Sequence, residues 1–238
     1  MRTAVVWDYL RAVLDGLAEG RALDILDVGG GSGGFAVPLA QLGHRLTVVD
    51  PSPDSLAALE RRAAETSTTD RVRALQGDAA GLLDLVAPES FDALLCHSVL
   101  EVVDDPGEAM RALARTLRPR GVASVLAANR VAAVLARVGA GRLGEARRML
   151  ADPAGRAADS DPLARRFDLD QLVGILTSAG LRPRTVHGVR VFADSVPAAL
   201  LDTDPQAVDD LLALEHDVAE LRDYLPVATQ LHVIADRS

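Results

Sequence analysis

Short apolar runs alternate with helical spacings from the start of the chain to about residue 128. Residues 3 to 19 carry Val6, Leu10, Val13, Leu14 and Leu17 at the three-and-four spacing of one helix face. The runs Leu23 to Val28, Arg45 to Asp50, Val72 to Gln76, Phe91 to Cys96 and Val122 to Ala127 read as strands. Helices are expected over residues 33–42, after Asp50 where Pro53 suits a first helical turn, and over 106–117. The last of these is stopped by Leu117-Arg118-Pro119-Arg120-Gly121. Five alternations of apolar strand and helix imply a parallel sheet covered on both faces, with any ligand lying across the strands' carboxyl ends.

From residue 130 the pattern changes. Residues 130–166 hold eight arginines (130, 137, 142, 147, 148, 156, 165 and 166) against four acids, Glu145, Asp152, Asp159 and Asp161. Their local +4 lies in a chain of net −9, so the remainder carries −13. A helical insertion with a solvated arginine face is the plain reading, and a lid or a substrate-facing basic patch the sharper one. Asp168 to Ala179 reads as a helix capped by Asp168, with Gly180 just beyond its end. Two late extended runs, Thr185 to Phe192 and Thr229 to Ala235, flank an acidic helical stretch. With no helix after the last run, an antiparallel pair completing the sheet is favoured over a second mononucleotide half. One domain over residues 1–238 is expected, with the insertion at about 130–166.

Composition narrows the class. Nearly half the residues are apolar, 49%, and a quarter charged, 25%, which suits a soluble globular protein. No run approaches a bilayer span, and the first residues lack a signal-peptide core, so a cytoplasmic protein without a membrane partner is expected. Cys96 is the sole cysteine and reads as a buried strand residue. All 25 basic residues are arginines, which removes lysine Schiff-base chemistry. His44, His187, His216 and His232 have no ligand spacing and read as structural, and no metal motif is present.

The candidate chemistry centres on Asp27-Val28-Gly29-Gly30-Gly31-Ser32-Gly33-Gly34, a glycine-dense turn between a strand and a helix start. Glycine suits a turn with backbone angles that a Cβ penalises and a ligand that approaches the main chain. The helix that follows offers free N–H groups and a positive dipole end. Gly29-x-Gly31-x-x-Gly34 also satisfies the dinucleotide fingerprint, so a nicotinamide or flavin enzyme competes with an S-adenosylmethionine enzyme. Asp27, two residues before the first glycine, suits a ligand with a charged amino group. Asp50 stands at a strand's carboxyl end where a carboxylate meets a ribose diol. Asp78, after the third strand, is placed to accept from an adenine amino group.

With the antiparallel finish, these residues resemble the class I S-adenosylmethionine methyltransferases: an α/β, Rossmann-like fold with a mostly parallel seven-stranded sheet and an antiparallel C-terminal strand. Asp27-x-Gly29-x-Gly31 matches the first motif, Asp50 the ribose acid and Gly77-Asp78-Ala79 the adenine loop. Cys96 to Pro106, Gly188 to Asp194 and Leu231 to Ala235 are similar to the tRNA 5-carboxymethoxyuridine methyltransferase family over nearly the whole chain. That resemblance implies a cofactor-binding arginine ahead of the first helix, matched by Arg2, and cofactor positions at Gly29, Gly30, Asp50, Ala79 and His97. Two departures stand out. Relatives carry a further segment ahead of the arginine, and Arg120 replaces the glycine of their Pro-Gly-Gly turn.

Methyl transfer from a sulfonium is an in-line displacement that depends on alignment and exclusion of water. A carboxylate nucleophile is ionised at neutral pH and needs an orienting cation rather than a base. Arg190 and Arg130 are candidates for that cation, and His97 for packing on the cofactor or acting as a base. The favoured function is methylation of a carboxylate on a modified tRNA wobble nucleoside, with arginines 147, 148, 165 and 166 meeting phosphates. The alternatives are a small-molecule or natural-product methyltransferase and an adenosyl-binding protein without turnover.

Overall fold

Residues 4–237 are described by the structure, a computed structural model, apart from the side chain of Ala198. In chain order the elements are α1 (Ala4–Ala18), β1 (Asp24–Val28), α2 (Ala36–Gln41), β2 (Arg45–Asp50), α3 (Pro53–Glu65), β3 (Val72–Gln76), α4 (Leu82–Leu85), β4 (Phe91–His97), α5 (Pro106–Thr116) and β5 (Leu117–Ala128). There follow α6 (Arg130–Gly139), α7 (Leu143–Ala151), α8 (Leu169–Ser178), β6 (Leu181–Val189), α9 (Ala198–Thr203), α10 (Pro205–Val218), a 3-10 turn (Leu225–Val227) and β7 (Gln230–Arg237).

The sheet has seven strands in the order β3-β2-β1-β4-β5-β7-β6. The first five pair in parallel, and β7 runs antiparallel to both β5 and β6. The central strands are buried on both faces, which is why their sequences are apolar without alternation. One core cluster holds Leu26, Leu94, Met110 and Leu172, and another, under α1, holds Leu10, Leu14, Ile25 and Leu95. Each such fully buried leucine or isoleucine contributes about 1.5–3 kcal/mol.

Local chemistry sets the helix starts. Ser52 Oγ accepts from the Ser55 N–H at 3.2 Å ahead of Pro53, and Asp105 Oδ1 accepts from the Glu108 N–H at 2.9 Å ahead of Pro106. Asp168 and Gln171 close a full capping box on α8. Three elements differ most from the sequence expectation in their bounds. The helix after the glycine loop begins at Ala36 rather than 33, because Gly31 and Gly33 hold left-handed backbone at φ 55° and 80°. Strand β5 begins at Leu117, ahead of Pro119, and Arg120 turns at φ 65°, the conformation a glycine would supply without strain. Strand β6 ends at Val189 because Arg190 also turns at φ 57°, and it starts at Leu181 because β7 extends far enough to pair Leu181 with Arg237.

Candidate functional site

Strand β1 delivers Asp27 and then the glycine turn. Asp27 is 3% exposed and accepts no side-chain hydrogen bond among the described residues, so burial first and the nearby Asp50 second raise its pKa to about 7. The glycines make room for it. A Cβ on Gly30 would lie 2.6 Å from the Asp27 carboxyl carbon and 2.9 Å from Val48, and one on Gly29, at φ 70°, would lie 2.5 Å from Val99 Cγ2. The sequence therefore forms a shallow cradle over an unpartnered buried acid.

Asp50 closes the far wall. Its Oδ2 accepts from the Gly31 N–H and its Oδ1 from the Ser52 N–H, both at 2.9 Å. A carboxylate has about four acceptor sites, so two remain after bracing the loop. After β3, Asp78 Oδ1 accepts from the Ala80 and Gly81 N–H groups at 3.0 Å and leaves Oδ2 available, while Ala79 is buried. Gly29, Asp50, Asp78 and Ala79 line a cleft of about 940 Å³ that continues over Val99 to Arg111. Asp27, Gly30, Gly31 and His97 are not among the residues that line it. His97, at the end of β4 beside Ser98 and Val99, meets Phe35 edge-on with ring centroids 4.7 Å apart. Burial lowers its pKa to about 4, so the imidazole is neutral at pH 7.

The cradle fits a ligand carrying a cationic amino group and a diol, since an orphaned buried carboxyl and a second acid with free acceptor sites face space that a Cβ would fill. Residues 26–125 match the family described as "Methyltransferase domain". The chain carries a methyltransferase domain. It is an enzyme whose methyl donor is S-adenosylmethionine, and its fold agrees: an S-adenosylmethionine dependent methyltransferase from Mesorhizobium loti superposes with a TM-score of 0.62 at 18% identity over 98% of each chain. The methyltransferase is 28% identical to a tRNA 5-carboxymethoxyuridine methyltransferase of Escherichia coli (strain K12) over 99% of this chain and 87% of that protein. It is 35% identical to a ubiquinone biosynthesis O-methyltransferase of Caulobacter vibrioides over 53% of this chain and 50% of that one.

The cations expected to orient an acceptor are placed differently from the sequence reading. Arg190 of the methyltransferase is held by both carboxylate oxygens of Asp194, and Arg130 lies 3.5 Å from Asp168 at the start of α6; neither lines the cleft. Arg2 lies outside the described residues. The arginine-rich segment is also committed inward. Arg165 donates to the carbonyls of Leu100, Val103 and Asp104, Arg166 is buried in a two-point pair with Asp161, and Arg148 donates to Ala157 O. Arg137 and Arg142 share Glu145, and Arg156 pairs with Asp152. Of the eight, Arg147 alone has no side-chain partner among the described residues. These arginines brace loops because each sits within reach of a nearby acid or an unpaired carbonyl, a pairing that a charge count does not reveal.

Sequence reasoning missed Val99, which wedges against Gly29, and Arg111, which borders the cleft from α5. Both follow from how α5 and the turn after β4 pack across the strand ends, and neither has a local sequence signal.

Proposed function

We propose that this methyltransferase esterifies a carboxylate carried on a modified wobble uridine of tRNA. The observation that carries the reading is the extent of similarity. Likeness to the ubiquinone-type relative spans 53% of the chain, whereas likeness to the tRNA 5-carboxymethoxyuridine methyltransferase spans 99%, including the segment after β5 and the last strands.

In this reading Asp27 pairs with the amino group of the cofactor's methionine end, Asp50 receives the ribose hydroxyls, and Asp78 and Ala79 hold the adenine. Gly29, Gly30 and Gly31 allow the close main-chain approach, and Arg2 meets the cofactor's carboxylate. S-adenosylmethionine supplies, when bound, an electrophilic methyl group on a sulfonium. The acceptor carboxylate is ionised at neutral pH, so the protein's work is alignment and exclusion of water rather than proton removal. The chain is read as one domain, residues 1–238, with 130–166 inserted on the acceptor side, and a tRNA substrate implies a cytoplasmic enzyme. No helix among the described residues is long and apolar enough to cross a membrane.

A second reading, a small-molecule acceptor, is favoured by the internal pairing of the insertion's arginines and by the net charge of −9. Methyl-labelled S-adenosylmethionine offered with separate tRNA and small-molecule fractions distinguishes the two. Label in tRNA is expected, with binding weakened by salt and with Arg147→Ala reducing the salt slope by about 1. Label confined to small molecules would replace the first reading by the second.

A further inference from the structure

The strand order sets β4, β5, β7 and β6 side by side, and each carries one polar residue of a continuous buried row. Register pairs His97 with Leu126, Leu126 with His232, and His232 with His187, so these residues share one face of the sheet, as does Ser124, two residues from Leu126. His97 Nε2 lies 2.8 Å from Ser124 Oγ, Ser124 Oγ lies 2.8 Å from His232 Nε2, and His232 Nδ1 lies 3.1 Å from His187 Nδ1. Beyond His187, stacked on Tyr9 at 3.7 Å, Glu220 Oε1 stands 4.0 Å from Nε2 on the exposed side. Ser124, His187 and His232 are buried, and the two end atoms of the row, His97 Nδ1 and His187 Nε2, are buried without a hydrogen-bond partner among the described residues, so Glu220, which also pairs with the Tyr9 hydroxyl, acts on His187 through its charge.

We propose that Glu220, His187, His232 and Ser124 act as positioning residues that fix the tautomer of His97 and turn its Nδ1 into a hydrogen-bond acceptor at the carboxyl end of β4.

Counting protons restricts the row. A neutral imidazole carries one N–H and a serine hydroxyl one O–H, so a fully paired chain has two states. In one, His187 carries its proton on Nε2 toward Glu220, His232 donates from Nδ1 to His187, Ser124 donates to His232, and His97 donates from Nε2 to Ser124. His97 Nδ1 is then a lone pair. In the other, every donor reverses, and His187 turns a lone pair toward the Glu220 carboxylate while His97 carries Nδ1–H. A carboxylate attracts an N–H and repels a lone pair, so Glu220 selects the first state. Burial keeps His97 and His187 neutral, with pKa values lowered to about 4, and lowers His232 also, as the chain requires.

Any group that reaches Nδ1, a buried atom of a residue next to the cleft-lining Ser98, must therefore carry an N–H or O–H, and a bare carboxylate is turned away from this position. Two sources offer that chemistry, the amino group of the cofactor and a protic group on the acceptor. The inference holds whichever acceptor is methylated.

Long-range proton–nitrogen correlation on the full chain labelled with nitrogen-15 histidine reads each tautomer at pH 7. The expected pattern is Nε2–H at His97 and His187 and Nδ1–H at His232. Glu220→Ala, at an exposed side chain, is expected to convert His97 from one tautomer to a mixture, and Ser124→Ala to uncouple His97 while His187 and His232 keep their pattern. Adding S-adenosylhomocysteine moves the His97 Nδ1 resonance if the cofactor is the donor and leaves it in place if the acceptor is. Nδ1–H at His97 in the unaltered protein, or a His97 tautomer unmoved by both substitutions in a chain that keeps its folded spectrum, overturns the proposal.

Discussion

Asp27 has two opposite relations to pH, and they share one titration. Its folded pKa, about 7, is raised above the unfolded carboxylate value, so the stability tied to its protonated form is present at low pH and lost as pH rises through 7. Binding of an ammonium works the other way, because it needs the ionised acid, and an α-amino group stays charged up to about 7.7–8.0. Affinity for S-adenosylhomocysteine is therefore expected to climb between about pH 6 and 7.5. Asp27→Asn is expected to weaken binding and flatten that climb, read by calorimetry across pH; a climb of the same size in the variant would remove Asp27 from the amino-group site. Gly30 belongs to the same account, since a Cβ there would lie 2.6 Å from the Asp27 carboxyl. The placement of Asp27, the glycines, Asp50 and Asp78 at strand ends was legible in the sequence because each belongs to or directly follows a short apolar run. The pairing of Arg190 with Asp194 and of Arg130 with Asp168 was not legible, because each partner is met through the fold and has no local sequence signal.

Among the elements, the alternation up to β5 was legible because strands covered on both faces have no polar positions to confuse them. The end of β6 was not. There Arg190 adopts left-handed backbone, and the N–H groups of Val191, Phe192 and Ala193 all turn toward Glu215 on α10, which accepts from them at 2.9, 2.7 and 2.8 Å. This anion nest joins helix α10 to the sheet through one buried carboxylate, and an acid in an acidic stretch gave no sign of it. Glu215→Ala leaves three N–H groups without their acceptor and is expected to lower unfolding stability by about 2–3 kcal/mol in urea denaturation. A loss within experimental error of zero would mean that water replaces the carboxylate without cost. The row from His97 to His187 was illegible for a related reason: its members lie on four strands that only the order β4-β5-β7-β6 brings together.

At the scale of the whole molecule, the fold divides its work across the sheet. Strands β3, β2 and β1 end at the acids and glycines of the cleft and β4 ends at His97, while β5, β7 and β6 carry the segments that extend the likeness to the tRNA-modifying relative. Net charge of −9 and the pairing of the arginines between α6 and α8 leave that segment little free positive charge, so the proposed contact with RNA would draw on few of its cations, Arg147 among them. The bond formed by the enzyme tests the central claim most directly. A methyl ester is cleaved by mild alkali to a carboxylate and methanol, whereas methyl groups on nitrogen or on an ether oxygen survive. After transfer from methyl-labelled S-adenosylmethionine to tRNA, the label is expected to leave as volatile methanol on brief alkaline treatment and to be absent when Asp27→Asn replaces the native protein. Label that stays in tRNA through alkali, or that never enters tRNA, would contradict carboxylate methylation of a tRNA nucleoside.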